Sequence, residues 1–151
     1  MPTIYVKRKN GRISTNSKVW NDIPGLLVNA DFGAGKYAKL VLFIPTIAID
    51  ANVNGNFGIA VKGTTIEARV YGVTNIKKRG SQGMEIPVHV EVNLLLAGNV
   101  VVHAMWKVNE DNTEIRVPGG LQATLKVHQY DDANLIEGGD PILYQVLTAQ
   151  N

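Results

Sequence analysis

Alternation with a period of two dominates the chain. Leu121, Ala123, Leu125 and Val127 alternate with Gln122, Thr124, Lys126 and His128, which predicts a strand with one apolar face and one hydrated face. The same spacing sets Val88, Val90 and Val92 against His89, Glu91 and Asn93, and Ile66, Ala68 and Val70 against Glu67, Arg69 and Tyr71. A slip of one residue would turn each apolar set outward, so burial itself fixes these registers. Two segments break the alternation. Leu40 to Ile44 is apolar at every position, and Val100, Val101 and Val102 continue into Ala104, Met105 and Trp106. Strands apolar on both faces are covered on both, either by the protein's own loops or by another subunit.

Turn-forming residues separate these runs: Gly33-Ala34-Gly35, Asn54-Gly55, Lys62-Gly63, Arg79 to Gly83, Ala97-Gly98-Asn99, Asp111-Asn112 and Pro118-Gly119-Gly120. They divide the chain into roughly eight to ten short strands. With no strand-helix-strand alternation and no internal repeat, the expected fold is all-β, a two-sheet jelly-roll sandwich. Residues 1–130 form that domain. Residues 131–151 read as a linker or tail, Asp131 to Asn134 and then Glu137 to Pro141, with Ile142 to Leu147 a last strand or a segment that docks on a neighbour.

Composition narrows the chemistry. A length of 151 residues suits a single core, and 45% hydrophobic content with a net charge of +2 is ordinary for a globular domain and unlike a nucleic-acid-binding surface. The absence of cysteine excludes disulfides, thiolate metal sites and cysteine nucleophiles. No run approaches the roughly 18 apolar residues of a membrane helix, and no apolar signal core follows Met1. The expected location is therefore the cytosol, with any release by a non-classical route.

His89, His103 and His128 lie on separate predicted strands, without the close second ligand of a zinc or iron site, and Asp131, Asp132 and Asp140 lack the alternation of a calcium loop. No metal or cofactor is expected. There is no Gly-x-Ser-x-Gly elbow, and Gly33 to Lys36 lacks the spacing of a phosphate-binding loop, so no enzymatic activity is expected. Lys7-Arg8-Lys9 with Arg12, and Lys77-Lys78-Arg79, carry no interleaved aromatic residues for base stacking and read as solvated loops. Trp106 reads as core. Trp20, beside Asn21 and Asp22, is either core or a platform for the apolar face of a sugar.

An ordered series of short motifs adds a family. Trp20 to Leu26, Gly35-Lys36, Ile44-Pro45-Thr46, Gly55 to Ala60, Gly83 to Pro87 and Trp106-Lys107 together resemble the TNF-like, fucose-binding domain found at the N-terminus of bacterial superlectins, over about residues 18 to 130. Gly35-Lys36-Tyr37, Phe57 to Val61 and Leu96 to Val100 are similar, more broadly, to the TNF and C1q jelly-roll superfamily. The resemblance implies a homotrimer with sugar held between subunits by tyrosine, serine, threonine and two arginines. Ser81 matches the serine; Gln82 replaces the threonine, Met84 and Glu110 the arginines, and Ala48 and Asn56 two tyrosines. Without the bidentate guanidinium donors a fucose specificity does not carry over, and a different glycan, or none, is expected. The ligand residues this implies are Tyr71, Arg79, Ser81 and Gln82, with Asn109 and Glu110 from the adjoining subunit. The expected function is that of a non-catalytic trimeric lectin. The alternative is a trimeric structural or receptor-binding module, of the kind that tips a phage tail or injection apparatus and binds a protein partner.

Overall fold

The computed structural model describes residues 3–9, 13–49, 53–63, 69–78, 84–111, 113–117 and 122–131. They form strands β1 (Thr3–Lys9), β2 (Ile13–Thr15), β3 (Asn21–Asp31), β4 (Lys36–Ile49), β5 (Val53–Gly63), β6 (Arg69–Lys78), β7 (Met84–Leu96), β8 (Asn99–Val108), β9 (Ile115–Val117) and β10 (Ala123–Tyr130), with no helix among the described residues. One sheet runs β1-β10-β4-β7, and the short β9-β2 pair continues along the β10 side of β4 through Ala48 and Arg116. The other runs β3-β8-β5-β6. All pairings are antiparallel, and consecutive strands repeatedly cross between the sheets, which is the jelly-roll arrangement the turn spacing predicts.

The core follows the alternation. Leu40, Leu42 and Ile44 of β4, Val88, Val90 and Val92 of β7, and Ala123, Leu125 and Val127 of β10 point between the sheets and are buried. Val100, Val102, Ala104 and Trp106 of β8 meet them from the other side. Trp106 is buried as expected, edge-on to Phe57 at 6.4 Å, and its indole N–H donates to Asn21 Oδ1 at 3.1 Å. Without that acceptor the buried indole would cost about 1–3 kcal/mol. Two turns are tied together at one end of the sandwich: Phe32 N–H donates to Gly98 O, and Gly98 N–H to Gly33 O, both at 2.8 Å. Gly33 (φ 57°) and Gly98 (φ 69°) adopt the left-handed conformation that this crossing requires.

Three local expectations change. Asn54-Gly55 is not a turn but lies inside β5, where Gly55 leaves room for the Ile115 side chain. Val70 and Tyr71 exchange faces, because Ile59 pairs with Gly72 and Ala60 with Val70, so that Tyr71 is the extra residue of a bulge and turns into the core. Asn93, expected on a hydrated face, is fully buried, and neither of its amide atoms has a hydrogen-bond partner. Leu121, Ile66 and Ala68 lie outside the described residues, as does the tail from residue 132.

The strands apolar on both faces present their second face outward. On the first sheet Phe43 (42% exposed) and half-buried Val41 point outward on β4, and Leu95 (55%) does so on β7 opposite Tyr37. On the second, half-buried Val101, His103 and Met105 do the same. His128 stacks on Tyr130 on the first sheet's outer face and is flanked by Lys39, Lys126 and Glu91.

Gly72 faces inward, and a β-carbon there would collide with Val92 Cγ2. Gly72→Ala should therefore destabilise by about 1–3 kcal/mol, and Val92→Ala in the same chain should return part of that loss; additive losses in urea unfolding would contradict the collision. Burial, and then the charges of Lys39 and Lys126, hold His128 below its ordinary pKa of 6.5 against an opposing pull from Glu91. A folded-state pKa below the unfolded value favours the neutral ring, so stability is complete above 6.5 and falls as acidification passes through 6.5 toward the lowered value. Between about pH 7.5 and about pH 5 the melting temperature of the wild type should drop further than that of His128→Gln; parallel curves would remove His128 from the acid response.

Candidate functional site

The outward positions of β5 carry the site. Phe57 and Ile59 point into the core, so period two turns Asn54, Asn56 and Gly58 outward. Register then places Asn75 of β6 on one side of Asn56 and Lys107 of β8 on the other. Beyond the end of β8 the chain is pinned by two 2.8 Å bonds, Val108 N–H to Ser17 O and Asn109 N–H to Asn54 O, which bring Asn109 over the same patch.

Four amides close into a ring. Asn75 Nδ2 donates to Asn54 Oδ1 at 3.2 Å and to Asn56 Oδ1 at 2.6 Å, and Asn109 Nδ2 donates to the same two oxygens at 3.0 and 3.2 Å. Asn75 Nδ2 also reaches Gly55 O at 3.1 Å. Asn54 Nδ2 continues the chain to Glu110 Oε1 at 3.2 Å, and the Glu110 carbonyl accepts from Thr113 Oγ1 at 2.7 Å. These bonds use the oxygens of Asn54 and Asn56 and the nitrogens of Asn75 and Asn109. Among the described residues, Asn75 Oδ1 and Asn109 Oδ1 remain as acceptors and Asn56 Nδ2 as a donor, each held in place by the ring.

An aromatic wall stands beside it. Gly58 has no side chain, and a β-carbon there would come within 3.3 Å of Trp20 Cη2, so the indole lies against the sheet over this glycine. Lys107 Nζ sits 5.2 Å from the Trp20 ring centroid, within cation–π range. Val73 of β6 is 45% exposed and pairs with Gly58. The patch thus sets fixed amide donors and acceptors next to an aromatic ring, with the Glu110 carboxylate and the Lys107 ammonium at its border.

Of the residues expected at the site, Asn109 and Glu110 are brought together here, but by bonds to Asn54 and Asn56 of their own chain, whereas the resemblance placed them on the adjoining subunit's side of the site. Tyr71 is not: at 2% exposure it belongs to the core, turned inward by the bulge. Arg79, Ser81 and Gln82 lie outside the described residues, directly after β6. The sequence reading missed Asn54 and Asn75 and gave Asn56 no ligand role. Outward alternation from Phe57 would have exposed the first and third, whereas Asn75 joins them only through the β5–β6 register. Among the described residues no cluster of three or more histidines, cysteines or carboxylates could hold a metal ion.

Neither a protein-family model nor a curated protein matches the sequence. Among solved structures the chain is similar to Eiger, a TNF from S. frugiperda, at TM-score 0.46 and 9% identity over 86% of this chain and 94% of that one. It is similar to infectious bursal disease virus, Gx strain, at TM-score 0.45 and 6% identity, covering 89% of this chain and 34% of the viral one. A CocE/NonD family hydrolase from Staphylococcus aureus follows at TM-score 0.40 and 9% identity, over 84% of this chain and 33% of that one. The chain thus spans about a third of the viral protein and of the hydrolase. A shared fold carries no function with it, so function has to be argued from the site.

Asn75 is exposed, and water can replace its bonds. Asn75→Ala should cost less than about 1 kcal/mol in urea unfolding. A loss beyond roughly 2 kcal/mol would mean that the ring holds β5 and β6 together rather than presenting free groups.

Proposed function

We propose that this protein is a non-catalytic carbohydrate-binding protein that takes a neutral glycan at the amide ring beside Trp20. The observation that carries the reading is the ring itself: two acceptor oxygens and one donor nitrogen, pre-positioned by bonds to one another, next to an aromatic face. Vicinal hydroxyls present alternating donors and acceptors, and groups already fixed in place lose little entropy on binding them. Asn109 and Glu110 stay in the proposed site, Arg79, Ser81 and Gln82 stay with it although they lie outside the described residues, and Tyr71 leaves it.

The proposal includes a homotrimer. Its support is the outer face of the first sheet, where Phe43, Leu95 and Val6 are exposed and Val41, Phe43, Pro87 and His89, with Thr124 and Lys126, surround a mostly apolar hollow of about 440 Å³. Apolar surface of this kind is typical of subunit contacts. Three copies of a shallow site would compensate for weak single-site affinity through avidity.

The test is a glycan array probed with labelled protein, with its mass measured by light scattering. A defined sugar should bind, and Asn56→Ala with Asn75→Ala should weaken binding tenfold or more, as two lost hydrogen bonds of about 1 kcal/mol each would require. A folded trimer that binds no glycan across a broad array would overturn the reading in favour of a structural module, and a monomer would remove the avidity.

A further inference from the structure

The far end of the second sheet holds a separate hollow of about 420 Å³, lined by Tyr5, Asn29, Asp31, Asn99 and Val101 together with backbone of β3 and β8. Asn99 opens β8 and Asn109 follows its end, so ten residues of strand, at about 3.3 Å each, set this hollow roughly 30 Å from the amide ring. Asn29 pairs with Val101 and Asp31 with Asn99. Since Val28, Ala30, Val100 and Val102 are buried, these four side chains point outward as one block, about 5 Å across the strands and about 7 Å along them.

The block is rigidly built. Asp31 Oδ1 accepts from Gly33 N–H at 2.9 Å, and the Asp31 carbonyl accepts from buried Gln129 Nε2 at 2.7 Å. The paired bonds between Phe32, Gly33 and Gly98 lock the turn after Asp31 to the turn before Asn99. What these bonds leave over, among the described residues, is the second carboxylate oxygen of Asp31, the side-chain amides of Asn29 and Asn99, and the Tyr5 hydroxyl.

We infer that this hollow is a second saccharide site, independent of the amide ring and taking a neutral sugar. The Asp31 carboxylate and the two amide oxygens accept from hydroxyls, the amide nitrogens donate to them, and Tyr5 and Val101 supply apolar contact. Asp31 is the charged group in this lining, and the nearby Lys62 of β5, paired with Val101, stands outside it. The two sites share no residue, and this inference stands whether or not the ring binds sugar. A protomer with both would bridge two glycan chains by itself.

Saturation-transfer-difference NMR on the full chain, with free glucose, galactose, mannose, fucose and N-acetylglucosamine as probes, separates the sites. At least one sugar should still give signal after Asn56→Ala with Asn75→Ala, and that signal should fall about fivefold or more when Asn29→Ala and Asn99→Ala are added. Signal unaffected by Asn56 and Asn75 but lost with Asn29 and Asn99 would support this site and refute the ring. The inference is overturned if no probe gives signal once the ring is disabled, or if Asn29→Ala with Asn99→Ala leaves every signal unchanged. Asp31→Asn keeps the acceptor for Gly33 and removes the charge, so it should weaken binding without disturbing the dispersion of methyl resonances; unchanged binding would count against the site.

Discussion

Burial of the inward face of β4 is the constraint on which the rest of the molecule depends. Leu40, Leu42, Ile44 and Ile47 lose all contact with water, and each lies between a partner on β7 and the β10 or β9 side of the sheet. Fully burying a side chain of this size is worth about 1.5–3 kcal/mol. The second sheet covers that face, with Phe57, Ile59 and Val61 of β5 and Val102, Ala104 and Trp106 of β8 all buried on its inner side. Once β8 is held by Trp106, its outward residues are fixed as well, because an inward set on a strand determines the opposite set.

Both polar patches follow from this. β8 contributes Asn99 to one and leads into Asn109 at the other, while β5 and β3, its two neighbours, supply the partners. Each patch is braced by hydrogen bonds from backbone just outside the strands: the Phe32–Gly98–Gly33 tie at one end, and the Val108–Ser17 and Asn109–Asn54 bonds at the other. The strands set spacing, and the ties between turns set orientation.

Most of the fold was legible in the sequence, and the site only in part. Alternation gave the inward faces of β7 and β10, and Gly33 to Gly35 gave a turn, because each depends on neighbours in the chain. Tyr71 misled because its bulge arises where β6 meets β5 and where Gly72 admits Val92, and neither contact leaves a trace in local spacing. Asn54-Gly55 misled for a related reason: a dipeptide suited to a turn was outweighed by the ladder on both sides of β5. The amide ring draws one residue from β6, two from β5 and one from beyond β8. No window of sequence contains it, although Asn109 and Glu110 were reachable through the resemblance to a family.

The composition of that ring has one more consequence. Carboxamides neither titrate nor carry net charge, so their attraction for a partner is not subject to Debye screening. An arginine-based pocket weakens as counterions accumulate. The ring of Asn54, Asn56, Asn75 and Asn109 presents the same donors and acceptors at low and high salt, whereas the charged groups at its border, Glu110 and Lys107, respond to ionic strength.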